Sequence, residues 1–340
     1  MRIFPSAPLS FTESKCLKRV CGGVGVRETG KRRAETSVNW PLADIMSINA
    51  MSKHIRKKFV RSKDTLGQLR IQPRDVALLL ALSEYRFLNT DQILALGHRG
   101  LRNLQRRLHD LYHAGYVERP PQQVISSLPS GHMVYSLGQK GAEFLFEDAE
   151  ERAEKIRQIK LNQQTTFPYI SHALMISQFR AVMTLALEKE KGEAKMVRFR
   201  QSIDLKNDLK FRGETAELVP DGFFTIEQDD GRWHFFLEAD RSTMTLDRFL
   251  GKLKIYWKWW REEKYKERLD VSRFRVLTIT ISKERKENLR RIAKNADSKK
   301  TGSNMFLFLS EAEYSLKKPE TVLQSVWLSP KDEVPHKVLE

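Results

Sequence analysis

Three acidic residues stand close together in two short stretches, "VPDGFFTIE" and "FFLEADRST". Asp221, Glu238 and Asp240 form a carboxylate cluster of the kind that holds a divalent metal; Mg²⁺ or Mn²⁺ is the cofactor it would take. Strand alternation puts Trp233, Phe235 and Leu237 on one side and Phe236, Glu238 and Asp240 on the other, so two carboxylates share a face. A second reading needs no metal. Asp221 starts a turn before Gly222, and Glu238 and Asp240 pair with nearby Arg and Lys, because carboxylates this close repel unless neutralised.

The elements around them must hold that face in place. "LVPDGFFTIEQDDGRWHFFLEAD" reads as a β-hairpin with "DDG" at its turn. Before it come an amphipathic helix, "HALMISQFRAVMTLALEKE", and a strand, "KMVRFRQSI". His172, near the helix start, is expected to cap or pack rather than to ligate. After the hairpin a helix runs from about Leu246 to Glu263, followed by the strand "RFRVLTITIS", the helix "KERKENLRRIAKNA" and the strand "MFLFLS". The order α-β-β-β-α-β-α-β implies a mixed sheet covered by helices.

This layout resembles the restriction-endonuclease-like core known by its PD-(D/E)xK motif. The resemblance implies that an Asp after a proline and a Glu two residues before a Lys hold Mg²⁺, while the Lys orients the attacking water. Pro220-Asp221 and Glu238 match, but Asp240 stands where the lysine should. Lys252 and Lys254, in the following helix, are the candidates for a displaced lysine, and Arg241 is expected to point to the opposite face.

The first half reads differently. "QPRDVALLLALSEYRFLNTDQILAL" contains a helix with Val76, Leu79, Leu80 and Ser83 at helical spacing, then a second start at "FLNTDQIL". There Asn89 or Thr90 caps, and Gln92 stands at capping-box distance from Asn89. In "RGLRNLQRRLHDLYHAGYV" Leu101, Leu104, Leu108 and Leu111 make one apolar face, and Gly115 ends the helix. Arg99, Arg102, Asn103 and Arg106 project the other way, flanked by Arg107. Such a helix seats on its leucines and offers heads for phosphates and base edges. "YVERP" and "HMVYSLGQKGAEFL" then read as two strands around a loop, completing a winged helix.

The fold class expected is therefore α+β: an N-terminal winged helix-turn-helix followed by an α/β mixed-sheet domain. The divisions are a tail or upstream extension at 1–52, a basic arm at 53–70, the winged helix at 71–145, a charged helical linker at 146–165, the nuclease-like domain at 166–330 and a tail at 331–340. The arm contains "KHIRKKFVRSK", with six Lys or Arg and no acid, a run expected to stay free and follow a phosphate backbone. The tail carries no helix or strand period, and Met46 or Met51 is the expected start.

Among the 340 residues, 60 Lys and Arg outweigh 43 Asp and Glu, for a net charge of +17. That excess favours a polyanionic partner. No uninterrupted apolar run approaches the roughly 20 residues of a membrane span. The two cysteines, Cys16 and Cys21, make neither a zinc site nor a disulfide framework, which fits a reducing cytoplasm. "KIYWKWW" interleaves Lys252, Lys254 and Lys258 with Tyr256, Trp257, Trp259 and Trp260. That composition suits single-strand stacking, or else the aromatics are core.

"FLNTDQI", "LQRRLHDLYHAGYV", "YSLGQKGAEFL", "SHALMISQFR", "VPDGFF" and "LEADRST" occur in an order that resembles the replication-relaxation family of bacterial plasmids and conjugative elements. The resemblance implies work in replication, relaxation or mobilisation and supplies no catalytic residues. The family pattern is similar to Glu-x-Asp-Arg-Gly-Thr, so Asp240 is a family trait, and Ser242 replaces the glycine. The expectation is a DNA-binding accessory protein without conventional nuclease activity. Its partners would be double-stranded DNA, single-stranded DNA, a relaxase or replication protein and, as a homodimer, a second copy. The rivals are a Mg²⁺-dependent endonuclease with a displaced lysine and a winged-helix transcriptional regulator.

Overall fold

The computed structural model describes residues 59–61, 69–97, 100–124, 133–190, 194–201, 205, 218–228, 231–269 and 271–340. The expected N-terminal tail, most of the basic arm and Arg99 lie outside them.

Helix α1 (Pro73–Tyr85) starts on a proline and on a cap in which Asp75 accepts from the Gln72 backbone at 2.7 Å. It buries Leu78, Leu79, Leu82 and Tyr85, while Leu80 is exposed. The apolar face thus lies one residue away from the expected set, because "ALLLAL" offers several overlapping stripes and packing chooses among them. After the short strand β1 (Leu88–Asn89), Asn89 caps α2 (Thr90–Ala95) and exchanges hydrogen bonds with Gln92, each at 2.9 Å.

Helix α3 (Leu101–Ala114) seats Leu104, Leu108, Leu111 and Tyr112 in the core and leaves Leu101 exposed at its first turn. It stops at Gly115, whose φ of 89° is left-handed and costs a glycine little. Strands β2 (Val117–Glu118) and β3 (Val134–Leu137) follow, and β1, β3 and β2 form a three-stranded antiparallel sheet in that order. Three helices and this small sheet make up the first half. "GQKGAEFL", expected to continue a strand, is instead helix α4 (Gln139–Leu145). Arg61, expected in a free arm, donates to the Tyr112 carbonyl at 2.9 Å and to Glu118 at 2.6 Å.

Helices α5 (Ala149–Gln164) and α6 (Phe167–Lys189) lead into the second half. α5 shows the expected solvated face, with only Ile159 and Asn162 buried. α6 departs from the amphipathic expectation. It is covered on nearly all sides because it serves two cores: Ser177 donates to the Tyr85 and Phe87 carbonyls, Gln92 donates to the Leu174 carbonyl, and Phe179 packs on Phe224. Residues 55–340 accordingly form one compact unit. Among the described residues α6 is the one helix long and apolar enough to cross a membrane, and 78% of its apolar window is buried in the protein.

The large sheet runs β4 (Ala194–Gln201), β5 (Gly222–Gln228), β6 (Gly231–Asp240), β7 (Arg275–Thr280), β8 (Phe306–Ser310). The first three strands are antiparallel neighbours and the last three are parallel. One face packs Phe235 and Leu237 against α6, Trp327 and Val338. The other packs Phe236 against α7 (Leu246–Glu262), α8 (Lys264–Leu269) and α9 (Lys283–Ala293). This is the mixed α/β layout the sequence implies, and it sends Glu238 and Asp240 to the α7 and α9 side.

Candidate functional site

A cavity of about 270 Å³ opens at the carboxyl end of β6, where α/β sheets characteristically take their ligands. Pro168 and His172 of α6, Asp221 before β5, Glu238 to Arg241 of β6 and its following turn, Met244, and Lys252 of α7 are among its lining. The hairpin brings Asp221 into place: its backbone N–H donates to the Leu237 carbonyl at 3.1 Å, and its carboxylate accepts from the Ala239 N–H at 2.9 Å.

Glu238 is buried and has both oxygens occupied. Lys252 reaches one across a very short ion pair, and the Tyr256 hydroxyl donates to the other at 2.6 Å. Of the two candidate lysines, Lys252, in the second turn of the helix, is the one that reaches Glu238, and Lys254 is exposed. Burial pushes the Glu238 carboxyl up to about 7, and Asp221 adds to the rise while Lys252 opposes it. Burial also raises Asp221. Lys252 is held above its ordinary range: burial disfavours its charge, but Glu238 and Asp221 together outweigh that. Two carboxylates thus share one ammonium, and burial favours a proton on Glu238 below about pH 7.

Asp240 belongs to a different arrangement. Arg285 of α9 grips both its oxygens, at 2.8 and 3.0 Å, and also donates to the Met244 carbonyl at 2.6 Å. The Ser242 N–H donates to Asp240 as well, at 2.9 Å. Among the described residues no three acidic, His or Cys side chains are grouped to hold a metal. The three-carboxylate centre expected from the sequence is therefore a pair, Asp221 and Glu238, with the third carboxylate locked by an arginine from a later helix. Measured against the chemistry of a hard cation, the pair fits in part: among the described residues one oxygen of Asp221 is left for a ligand, whereas each oxygen of Glu238 already accepts a hydrogen bond.

Two residues of this site escaped the sequence reading. His172 lies 3.3 Å from Asp221, with its imidazole held below the usual range by burial and by Arg241 and Lys252. Arg241, expected on the far face, lines the cavity and donates to the Pro168 carbonyl at 3.3 Å. The strand ends at Asp240 and the next residues turn, with Ser242 at φ 60°, so strand alternation no longer applies. No local signal in "SHALM" tells that a helix start will land beside a hairpin far along the chain.

The α3 face forms a second candidate region. Arg102, Asn103 and Arg106 are exposed opposite the buried leucines. Arg107 is engaged differently, donating to Asp75 at 2.8 Å and to the Arg70 carbonyl at 2.8 Å. Asp75 is 1% exposed, so this pair ties α3 to the start of α1.

A family model described as replication-relaxation matches residues 79–271, more than half of the chain. The chain belongs to the replication-relaxation family. The matched span of this family runs from α1 through both candidate regions to the end of α8. Ser242 has a φ of 60°, in the left-handed region that favours glycine. No curated protein matches the chain. Among solved structures, the replication-relaxation chain is similar to restriction endonuclease FokI, at 12% identity and a TM-score of 0.27 over 77% of this chain and 45% of that one. FokI bound to DNA gives 14% identity and a TM-score of 0.27, over 76% and 46%. The chain spans less than half the length of either.

Proposed function

We propose that this protein binds duplex DNA through the exposed face of α3 and acts in the replication, relaxation or mobilisation of a plasmid or conjugative element, without conventional nuclease chemistry. The observation that carries the reading is Arg102, Asn103 and Arg106 exposed together on a helix whose opposite side is locked by leucines and by the Arg107–Asp75 pair. A rigid seat lets these heads meet phosphates and base edges without further ordering. The net charge of +17 adds long-range attraction. Family membership supports the setting, in which a relaxase or replication protein is the partner. The regulator alternative, a winged helix acting alone, is disfavoured by α6, whose side chains complete both halves. Gel-shift titration of duplex DNA with the Arg102→Ala/Arg106→Ala variant tests the proposal: binding should fall markedly, and unchanged affinity overturns it.

One observation favours a second reading. Lys252 arrives on Glu238 from α7, beside Asp221, as a relocated lysine would in a nuclease of the PD-(D/E)xK type. Asp221 and Glu238 would then hold Mg²⁺ or Mn²⁺, which would supply a more acidic water and charge stabilisation at phosphate, and Lys252 would orient the water. The Arg285 grip on Asp240 and the occupied oxygens of Glu238 count against it. Supercoiled plasmid incubated with the protein and Mg²⁺ or Mn²⁺ should stay intact. Dose-dependent nicking that vanishes in both Asp221→Ala and Glu238→Ala establishes the nuclease instead.

A further inference from the structure

The aromatic run on α7 divides in two. Tyr256 and Trp259 are buried in the core under the sheet, with Phe236 packed on both. Trp257 is half-buried against the edge of that interior, and Trp260 lies outside it. They stack on each other with ring centres 5.2 Å apart and planes 24° apart, and Trp260 is 44% exposed. Among the described residues nothing covers the outer edge of Trp260, and an exposed indole backed by a second one offers a flat apolar surface to a binding partner.

The surroundings select the partner's chemistry. Lys254 and Arg261 are exposed on the same helix. At 100° per residue both project within roughly 60° of Trp257, forming a cationic flank beside the ring pair. Of the two acids at the helix end, Glu263 is paired with Lys266 at 2.7 Å, and Glu262 projects roughly 140° away from Trp257. Flat rings beside a line of cations match unpaired bases on a phosphate chain, because every base has a face to stack while each phosphate meets an ammonium or guanidinium. A duplex keeps its bases stacked inside and presents no such face.

We propose that Trp257, Trp260, Lys254 and Arg261 form a binding site for single-stranded nucleic acid, separate from the α3 face. It does not depend on the duplex-binding proposal. A second copy of this chain is the competing occupant, since exposed tryptophans also pair between protomers.

The test is fluorescence anisotropy of a labelled oligothymidine, which has no duplex structure, titrated with the full chain. Trp257→Ala/Trp260→Ala should weaken oligothymidine binding by about tenfold or more, as expected from losing a stacked base. Lys254→Glu/Arg261→Glu should weaken it as well, with a shallower salt dependence, and duplex affinity should change less than about twofold for both. Because Trp257 leans on the core, Trp260→Ala alone, checked for an unchanged Tm, is the control for folding, and it should bind oligothymidine measurably more weakly than the wild type. Wild-type oligothymidine affinity in folded Trp260→Ala overturns the proposal. So does a Trp260→Ala effect confined to self-association in sedimentation. Loss of duplex binding in Arg102→Ala/Arg106→Ala with oligothymidine binding intact would separate the two sites.

Discussion

Arg285 and Asp240 meet in a two-pronged ion pair, Nε to Oδ1 at 2.8 Å and Nη2 to Oδ2 at 3.0 Å, across the gap between the end of β6 and the first turn of α9. The bond raises the arginine above its ordinary range, chiefly through the hydrogen bonds to Asp240. It takes the second carboxylate of "LEAD" away from any metal ion and uses it to fasten a helix. Arg285→Ala leaves Asp240, 5% exposed, without its partner, and should cost about 3–5 kcal/mol in urea unfolding. Mg²⁺ should not restore that loss. Recovery of stability by Mg²⁺ in Arg285→Ala would instead mark Asp240 as a ligand.

Glu238 gives a pH dependence of definite sign. Its carboxyl is pushed from 4.5 to about 7 by burial first and by Asp221 second. Between those values the folded protein holds a proton that the unfolded chain has released. Stability from this group is therefore full below pH 4.5 and falls as pH rises toward 7. Glu238→Gln should remove that fall, on the order of 2 kcal/mol between about pH 5 and 8. The check is the difference in unfolding free energy between the two proteins at each pH; identical slopes would mean Glu238 ionises normally.

Arg106 and Arg107 are neighbours with opposite duties. Arg107→Ala abandons the buried Asp75 and should destabilise by about 3–5 kcal/mol. Arg106→Ala touches only an exposed side chain and should stay within about 0.5 kcal/mol. Urea denaturation of the two single variants distinguishes them, and equal losses would contradict the assignment.

Ser242 stands at φ 60°, where a side chain strains the backbone. Its N–H bond to Asp240 survives any substitution but proline. Ser242→Gly should raise stability by about 1 kcal/mol or less, the relief of strain exceeding the added freedom of the unfolded chain. A lower Tm in the variant would show that the serine hydroxyl matters more than the backbone.

Much of this architecture is legible in the sequence wherever one local rule acts alone. The Asn89 cap, the Gly115 stop, Leu104, Leu108 and Leu111 of α3 and the alternation that puts Phe236 and Glu238 on one face all follow from spacing. Spacing alone leaves both Lys252 and Lys254 as candidates on α7, and the packing of the helix over the sheet is what brings Lys252 to Glu238. Legibility fails where two distant segments compete for a side chain. Arg107 reads as free until Asp75 is placed beneath it, Asp240 reads as a ligand until α9 arrives, and His172 reads as packing until the hairpin folds against α6. The face of α1 fails for another reason: consecutive leucines satisfy several stripes, and only packing decides.

Duplex binding through α3 is measured most simply by anisotropy of a labelled duplex titrated across a salt series. Wild-type protein should bind with an affinity that falls steeply with salt. Arg102→Ala/Arg106→Ala, with an unchanged Tm, should bind more weakly by about 1–3 kcal/mol for each base-reading arginine, and its salt slope should be shallower by about one for each phosphate no longer neutralised. Wild-type affinity and slope in that folded variant would take α3 out of the DNA interface.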